Sequence, residues 1–110
     1  MLVVADASPV NYLVWIDEIE LLPYLFDRII LPDVVLRELQ DPDAPAKVRN
    51  WVARSPEWLE VRTPDNIVIP ELAVLDDGER SALQLAIQLN ADAVLIDEIY
   101  GRRVAKSLHL

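Results

Sequence analysis

Four carboxylates carry the chemistry this sequence can do: Asp6, Glu38, Glu79 and Asp97. Asp6 closes the apolar run Leu2–Ala5, and Asp97 closes Ala93–Ile96. In an open parallel sheet, ligands bind beyond the carboxyl ends of the strands. If these two strands are neighbours, both acids converge on one sheet edge. Glu38 lies in Pro32-x-x-Val35-x-x-Glu38, near the start of the helix expected after the second strand. Glu79 lies in Leu75-Asp76-Asp77-Gly78-Glu79, in the first turn of a long helix. A helix that starts above the same edge can hold a first-turn acid over it. Four carboxylates so placed repel, and buried like charges raise one another's pKa. A hard divalent cation makes the arrangement tolerable, and an all-oxygen set favours Mg²⁺ or Mn²⁺ over Zn²⁺.

Each acid taken singly has a plainer explanation. Asp6 can cap a turn, although Ser8 already offers an N-cap there. Glu38 reads as a solvated helix-face acid. Glu79 meets the helix macrodipole favourably, and Asp97 can cap whatever follows it. Glu98 is a secondary ligand or a surface acid, and Asp76 and Asp77 read as loop and N-cap residues. The weight lies in the ordered set of four. The only histidine, His109, is next to the last residue, and there is no cysteine. A thiolate metal site, a cysteine nucleophile and a histidine-driven triad are thereby set aside.

The elements that must position these acids follow from the pattern. Leu2–Ala5 is a short apolar strand. Ser8 as N-cap and Pro9 as first helical residue open a helix through Val10, Leu13 and Val14 toward Asp17. Leu21–Phe26 is a short helical piece interrupted by Pro23. Arg28–Leu31 is a strand, and Pro32-Asp33 opens the helix bearing Glu38. Ala46–Arg54 is a further helix with Trp51 on its apolar side. Trp58–Arg62 alternates like an edge strand, and Thr63–Pro70 is loop. Glu79–Leu89 is a helix packed deep in the fold, closed by Asn90. Ala93–Ile96 is a buried strand, and Arg102–Leu108 a last helix. Strands alternating with helices predict βαβ units around a mostly parallel sheet.

The 110 residues make one small domain, 1–110, and 53% hydrophobic composition is enough for a packed core. No basic leader precedes a long apolar stretch, and no uncharged run approaches the roughly 20 residues of a membrane span. A cytoplasmic protein without membrane attachment is expected. The net charge of −9 counts against a module that holds nucleic acid by its own basic surface. It counts less against a metal nuclease, where cations held by carboxylates meet the phosphate.

Val4-Ala5-Asp6-Ala7-Ser8-Pro9, Pro32-x-x-Val35-x-x-Glu38, Leu75-Asp-x-Gly78-Glu79 and Leu95-Ile96-Asp97-Glu98 with Gly101-Arg102-Arg103-Val104-Ala105 together resemble the PIN-domain superfamily. The likeness is to its small prokaryotic branch related to VapC-like toxins, and it covers essentially the whole chain. It implies an α/β fold: a three-layer α/β/α sandwich around a mostly parallel sheet. Relatives usually continue with another strand and helix beyond the point where this chain stops. A sandwich short of those two elements is therefore expected, and an uncovered edge of that kind favours a homodimer.

The resemblance implies an Mg²⁺- or Mn²⁺-dependent endoribonuclease hydrolysing RNA phosphodiester bonds, the toxin of a toxin–antitoxin pair, with an antitoxin protein as partner. Carried over by position, Asp6, Glu38, Glu79 and Asp97 are the metal-binding and catalytic acids. Asp6 and Asp97 are central, and Glu38 and Glu79 hold a metal or orient water. Ser8 supports the metal site, and Arg102 and Arg103 contact substrate phosphate or are simply a solvated helix end. The alternative is a non-catalytic, shortened PIN-like interaction module. A haloacid-dehalogenase-like phosphatase fits poorly, because Ser8 stands where its second acid belongs. A response-regulator receiver fits no better, for want of the acidic pair before the end of strand 1.

Overall fold

A computed structural model describes residues 1–96 of the chain. The elements run β1 (Leu2–Ala5), α1 (Ala7–Trp15), α2 (Leu21–Leu25), β2 (Arg28–Pro32), α3 (Asp33–Gln40), α4 (Ala46–Ala53), β3 (Leu59–Arg62), a 3₁₀ turn (Pro70–Leu72), α5 (Asp77–Gln88) and β4 (Ala93–Leu95). The four strands form one sheet in the order β3-β2-β1-β4. Every pairing is parallel, so the sheet described is fully parallel where a mostly parallel one was expected.

Side chains on successive strand residues point to opposite faces, and the two central strands are apolar on both. Val3 and Ala5 of β1 and Ile29 and Leu31 of β2 pack with Val10 and Val14 of α1, Val35 and Leu39 of α3, and Val48 and Val52 of α4. Val4 and Ile30, one residue out of phase, pack on the other face against Ala82, Leu85 and Ala86 of α5. This is the expected α/β/α sandwich. It explains why β1 and β2 read as continuous apolar runs. Each fully buried Val, Leu or Ile side chain here contributes about 1.5–3 kcal/mol relative to exposure.

The first two crossovers step outward from β1 to β2 to β3, with their helices on one face. The third returns past β1 to β4 and its helix lies on the other face, as right-handed crossovers require. The strand order thus reverses between β1 and β4, which places a topological switch point at the carboxyl end of β1.

Several local expectations shift. Helix α1 begins at Ala7, and its N-cap is Asp6, not Ser8: Asp6 is extended (ψ 175°) and its Oδ1 accepts the Ala7 N–H at 2.7 Å. Ser8 is exposed within the first turn. The helix stops at Trp15, and Asp17 lies beyond it with φ 60°, a left-handed conformation that Asp tolerates better than most residues. Pro23 does not interrupt α2, because it occupies the first turn, where no intrahelical N–H is needed. Helix α5 begins two residues before Glu79 and is closed by Asn90 at φ 54°. The sheet-edge position expected for Trp58–Arg62 is observed for β3.

Candidate active site

Asp6 is fixed from three directions. Its backbone N–H donates to the Leu95 carbonyl at 2.9 Å, extending the β1–β4 ladder by one residue. Its side chain caps α1. The residue is only 5% exposed. Strand end and helix start coincide, so the carboxylate is held at the switch point by backbone geometry rather than by a flexible stem.

Glu38 arrives differently from expectation. It lies not at the start of α3 but late in it, as the sixth of eight residues. Val35 explains how it still reaches the site. Residues three apart share a helix face, and Val35 Cγ2 lies 3.4 Å from where a Cβ on Gly78 would stand. The face of α3 that packs on the start of α5 therefore carries Glu38 with it.

Gly78 is the point where the acids meet. A Cβ at this position would lie 2.8 Å from Glu38 Oε1 and 2.9 Å from Asp6 Oδ1, closer than real Cβ contacts come. The two oxygens can be no further apart than the sum of those distances. Gly78 has no left-handed φ, so its missing side chain is needed here for space and not for backbone freedom. The residue belongs to the quoted motif but carried no role in the sequence reading. A glycine in the first turn of a helix otherwise rich in good helix formers was the available signal.

The electrostatics agree with this geometry. Glu38 is raised above the ordinary carboxylate range, first by the desolvation that burial brings and then by the charges of Asp6, Asp76 and Asp77. Asp76 and Asp77 were read as loop and N-cap acids. Asp76 is indeed the N-cap of α5, its Oδ1 accepting the Glu79 N–H at 2.9 Å. Both also contribute to the field on Glu38, a role their spacing alone did not reveal.

Glu79 is 4% exposed on the first turn of α5, adjacent in sequence to Gly78. It stands three residues after the N-cap aspartate, the spacing of a capping box. Ser8 lines a pocket of about 380 Å³ with Pro9, Tyr12 and Ile96. Asp97, Glu98, Arg102, Arg103 and His109 lie outside the described residues. Among the described residues no group of three or more Asp, Glu, His or Cys side chains is gathered closely enough to hold a metal ion. The convergence seen is of two acids, with two more bearing on it through space.

The PIN-domain family DUF3368 matches residues 2–110. The chain belongs to the PIN-domain family. PIN domains are generally nucleases and typically use divalent metals. No curated protein and no solved structure matches this PIN domain. Two hard oxygen donors facing a space that a methyl group would fill suit such an ion. Mg²⁺ is commonly held by one or two carboxylates, with water and substrate phosphate completing its shell. Among the described residues no helix is long and apolar enough to cross a membrane.

Proposed function

We propose that this PIN domain is a divalent-metal-dependent endoribonuclease whose site is built on Asp6 and Glu38, with Glu79 and Asp97 completing it. The observation that carries the reading is the meeting of Asp6 Oδ1 and Glu38 Oε1 at the space left by Gly78, at a sheet switch point where open α/β sheets bind ligands. Mg²⁺ or Mn²⁺, when bound, supplies positive charge that offsets these carboxylates and the scissile phosphate.

The protein's own part is positioning. Asp6 is held rigid by the β1–β4 ladder and the α1 cap. Glu38 is held by the packing of α3 on α5. Together they give an attacking water two acceptor oxygens that need no reorganisation. Glu79, buried one residue from the meeting point, holds a metal or orients that water, and Ser8 supports the metal site. Asp97 enters the set on the resemblance of its position in the sequence to the family's aspartate, and Arg102 and Arg103 are offered as phosphate contacts. The toxin role and the antitoxin partner rest on the likeness to VapC-like toxins.

Asp6→Asn tests the reading directly. Asparagine caps helices as well as aspartate, so the fold is retained. Mn²⁺-dependent RNA cleavage is expected to fall at least about 100-fold. Cleavage at the parent rate would overturn the assignment.

A second reading, a non-catalytic module, is favoured by one observation: the described residues gather two acids at a point and not three or more. Thermal stability under Mn²⁺ titration separates the two. Metal bound to the folded state raises Tm by mass action, and no rise at millimolar Mn²⁺ favours the module.

A further inference from the structure

The pocket at Ser8 lies beside the acids. Its described walls are Ser8, Pro9 and Tyr12 of α1 and Ile96, the residue after β4, and its volume of about 380 Å³ is within the range of small-ligand sites. The fold sets its place. Asp6 caps the helix that carries the first three of these residues, and its N–H donates to the carbonyl of Leu95, the neighbour of Ile96. The pocket thus belongs to the carboxyl ends of β1 and β4, the edge where open α/β sheets bind ligands. Tyr12 is six residues along α1 from Asp6, about 9 Å at a rise of roughly 1.5 Å per residue. Long helical side chains lean back toward the N-terminus, and Tyr12 shares a side of α1 with Ser8, four residues before it, and Pro9, three before it. Its ring is not packed into the core: Tyr12 is 63% exposed.

We propose that Tyr12 is a stacking platform for a nucleobase of the strand being cut, and that the base occupies this pocket. The substrate class rests on the nuclease reading above. Charge decides which part of a nucleotide sits here. No charged side chain is among the described walls, and the Asp6 carboxylate stands at the head of the same helix. A phosphate would find repulsion and no cation, whereas a neutral base finds an aromatic ring between a proline and an isoleucine. The net charge of −9 points the same way. Nucleic-acid binding through phosphates needs lysines and arginines to neutralise them, so an acidic chain must draw affinity from contacts that charge does not oppose. Stacking on an aromatic ring is such a contact, and every base has a face to offer it. The other exposed aromatic side chains among the described residues are placed less well. Trp15 lies at the far end of α1 beneath the Lys47 ammonium, 5.9 Å away, and Tyr24 belongs to α2.

The test is a titration of the full chain with adenosine, without metal, followed by NMR of the tyrosine rings. The Tyr12 ring signals are expected to move upfield and saturate, as stacking against a purine requires. Ribose 5-phosphate, which keeps sugar and phosphate but lacks the base, is expected to leave them in place. Tyr12→Phe keeps the ring and should bind adenosine as the parent does. Tyr12→Leu keeps an apolar side chain without the ring, and should weaken binding at least about fivefold. No shift with adenosine, an equal shift with ribose 5-phosphate, or undiminished binding in Tyr12→Leu would each overturn the proposal. So would Tyr12 signals that move on dilution of the protein alone, because a second copy would then cover the ring. The shift of the parent's own ring signals stands even if a variant fails to fold. Asp6→Asn is expected to bind adenosine as the parent does. A wrong pocket and a wrong nuclease assignment therefore fail in different experiments.

Discussion

Glu38 and Glu60 are the same side chain in two neighbourhoods, and the fold drives their acidity in opposite directions. Glu60 sits on the edge strand β3 and meets Arg28 of β2 through two bonds, Nε to Oε2 and NH2 to Oε1, both at 3.0 Å. Arg62 adds a weaker contact at 3.8 Å. Its carboxyl is held below the usual range, chiefly by the Arg28 hydrogen bonds. Glu38 is pushed up by burial and by Asp6, Asp76 and Asp77. An acid supplied with a cation across neighbouring strands is accounted for by structure. An acid set among other acids at a sheet switch point awaits a charge from outside the chain, and perturbed groups of that kind mark functional sites.

The strongest way to break this contrast is to fill the space between the acids. Gly78→Ala puts a methyl group within 3 Å of both Glu38 Oε1 and Asp6 Oδ1. Overpacking of this sort costs about 1–3 kcal/mol, offset in part by alanine's helix propensity of about 1 kcal/mol over glycine. The fold is therefore expected to survive with a modest loss in Tm. The Mn²⁺-induced rise in Tm should disappear, and cleavage should fall at least about 100-fold. A variant that still binds Mn²⁺ like the parent would show that the ion's place is not at this point.

The framework that holds Gly78 was largely legible in the sequence. Apolar runs ending in Asp6 and at Ile96, helices between them and the Pro32-Asp33 start gave the parallel sandwich, because strands buried on both faces leave an unmistakable pattern. What was not legible depends on packing between distant elements. The N-cap moved from Ser8 to Asp6 because strand β1 runs straight into the helix, so the last strand residue and the cap become neighbours. Glu38 was expected at a helix start, yet it reaches the site through the Val35 face of α3 on α5, a tertiary fact that no local spacing contains. Gly78 stood inside the motif, but only the approach of two carboxylates from other elements gives its missing Cβ a purpose. Asp97 and the two arginines rest on position in the sequence alone.

Glu38→Gln gives an intermediate effect with a definite sign. Because the folded-state pKa of Glu38 is raised, the folded protein holds this proton where the unfolded chain has already lost it. Its contribution is favourable at pH below the unfolded carboxylate value and is lost as pH rises through the folded value. At pH 7 the ionised group is a burden in the metal-free protein. Glu38→Gln should therefore raise the metal-free Tm at pH 7, by roughly 1–4 °C, and flatten the decline of stability just above the ordinary carboxylate pKa. With Mn²⁺ present the order should reverse, since the parent gains stability from the ion and the variant gains less. A variant that is less stable than the parent at pH 7 without metal would mean that Glu38 is a structural acid like Glu60.

Glu60→Gln sharpens the comparison from the other side and should have the smallest effect. Its folded-state pKa is lowered, so the stabilisation is present above the unfolded carboxylate value and is lost as pH falls through the folded value. The pair is largely solvent-exposed, with Arg28 half exposed, and exposed pairs are weak and screened by salt. Glu60→Gln should lower Tm slightly at pH 7, less in high salt, and not at all below the folded pKa of Glu60. Mn²⁺ binding and cleavage should match the parent, because Glu60 lies on β3, with β2 between it and the β1 end where Asp6 stands. If this substitution impaired metal binding as much as Glu38→Gln does, the two glutamates would belong to one electrostatic system. The division between an acid serving the fold and an acid serving the site would then fail.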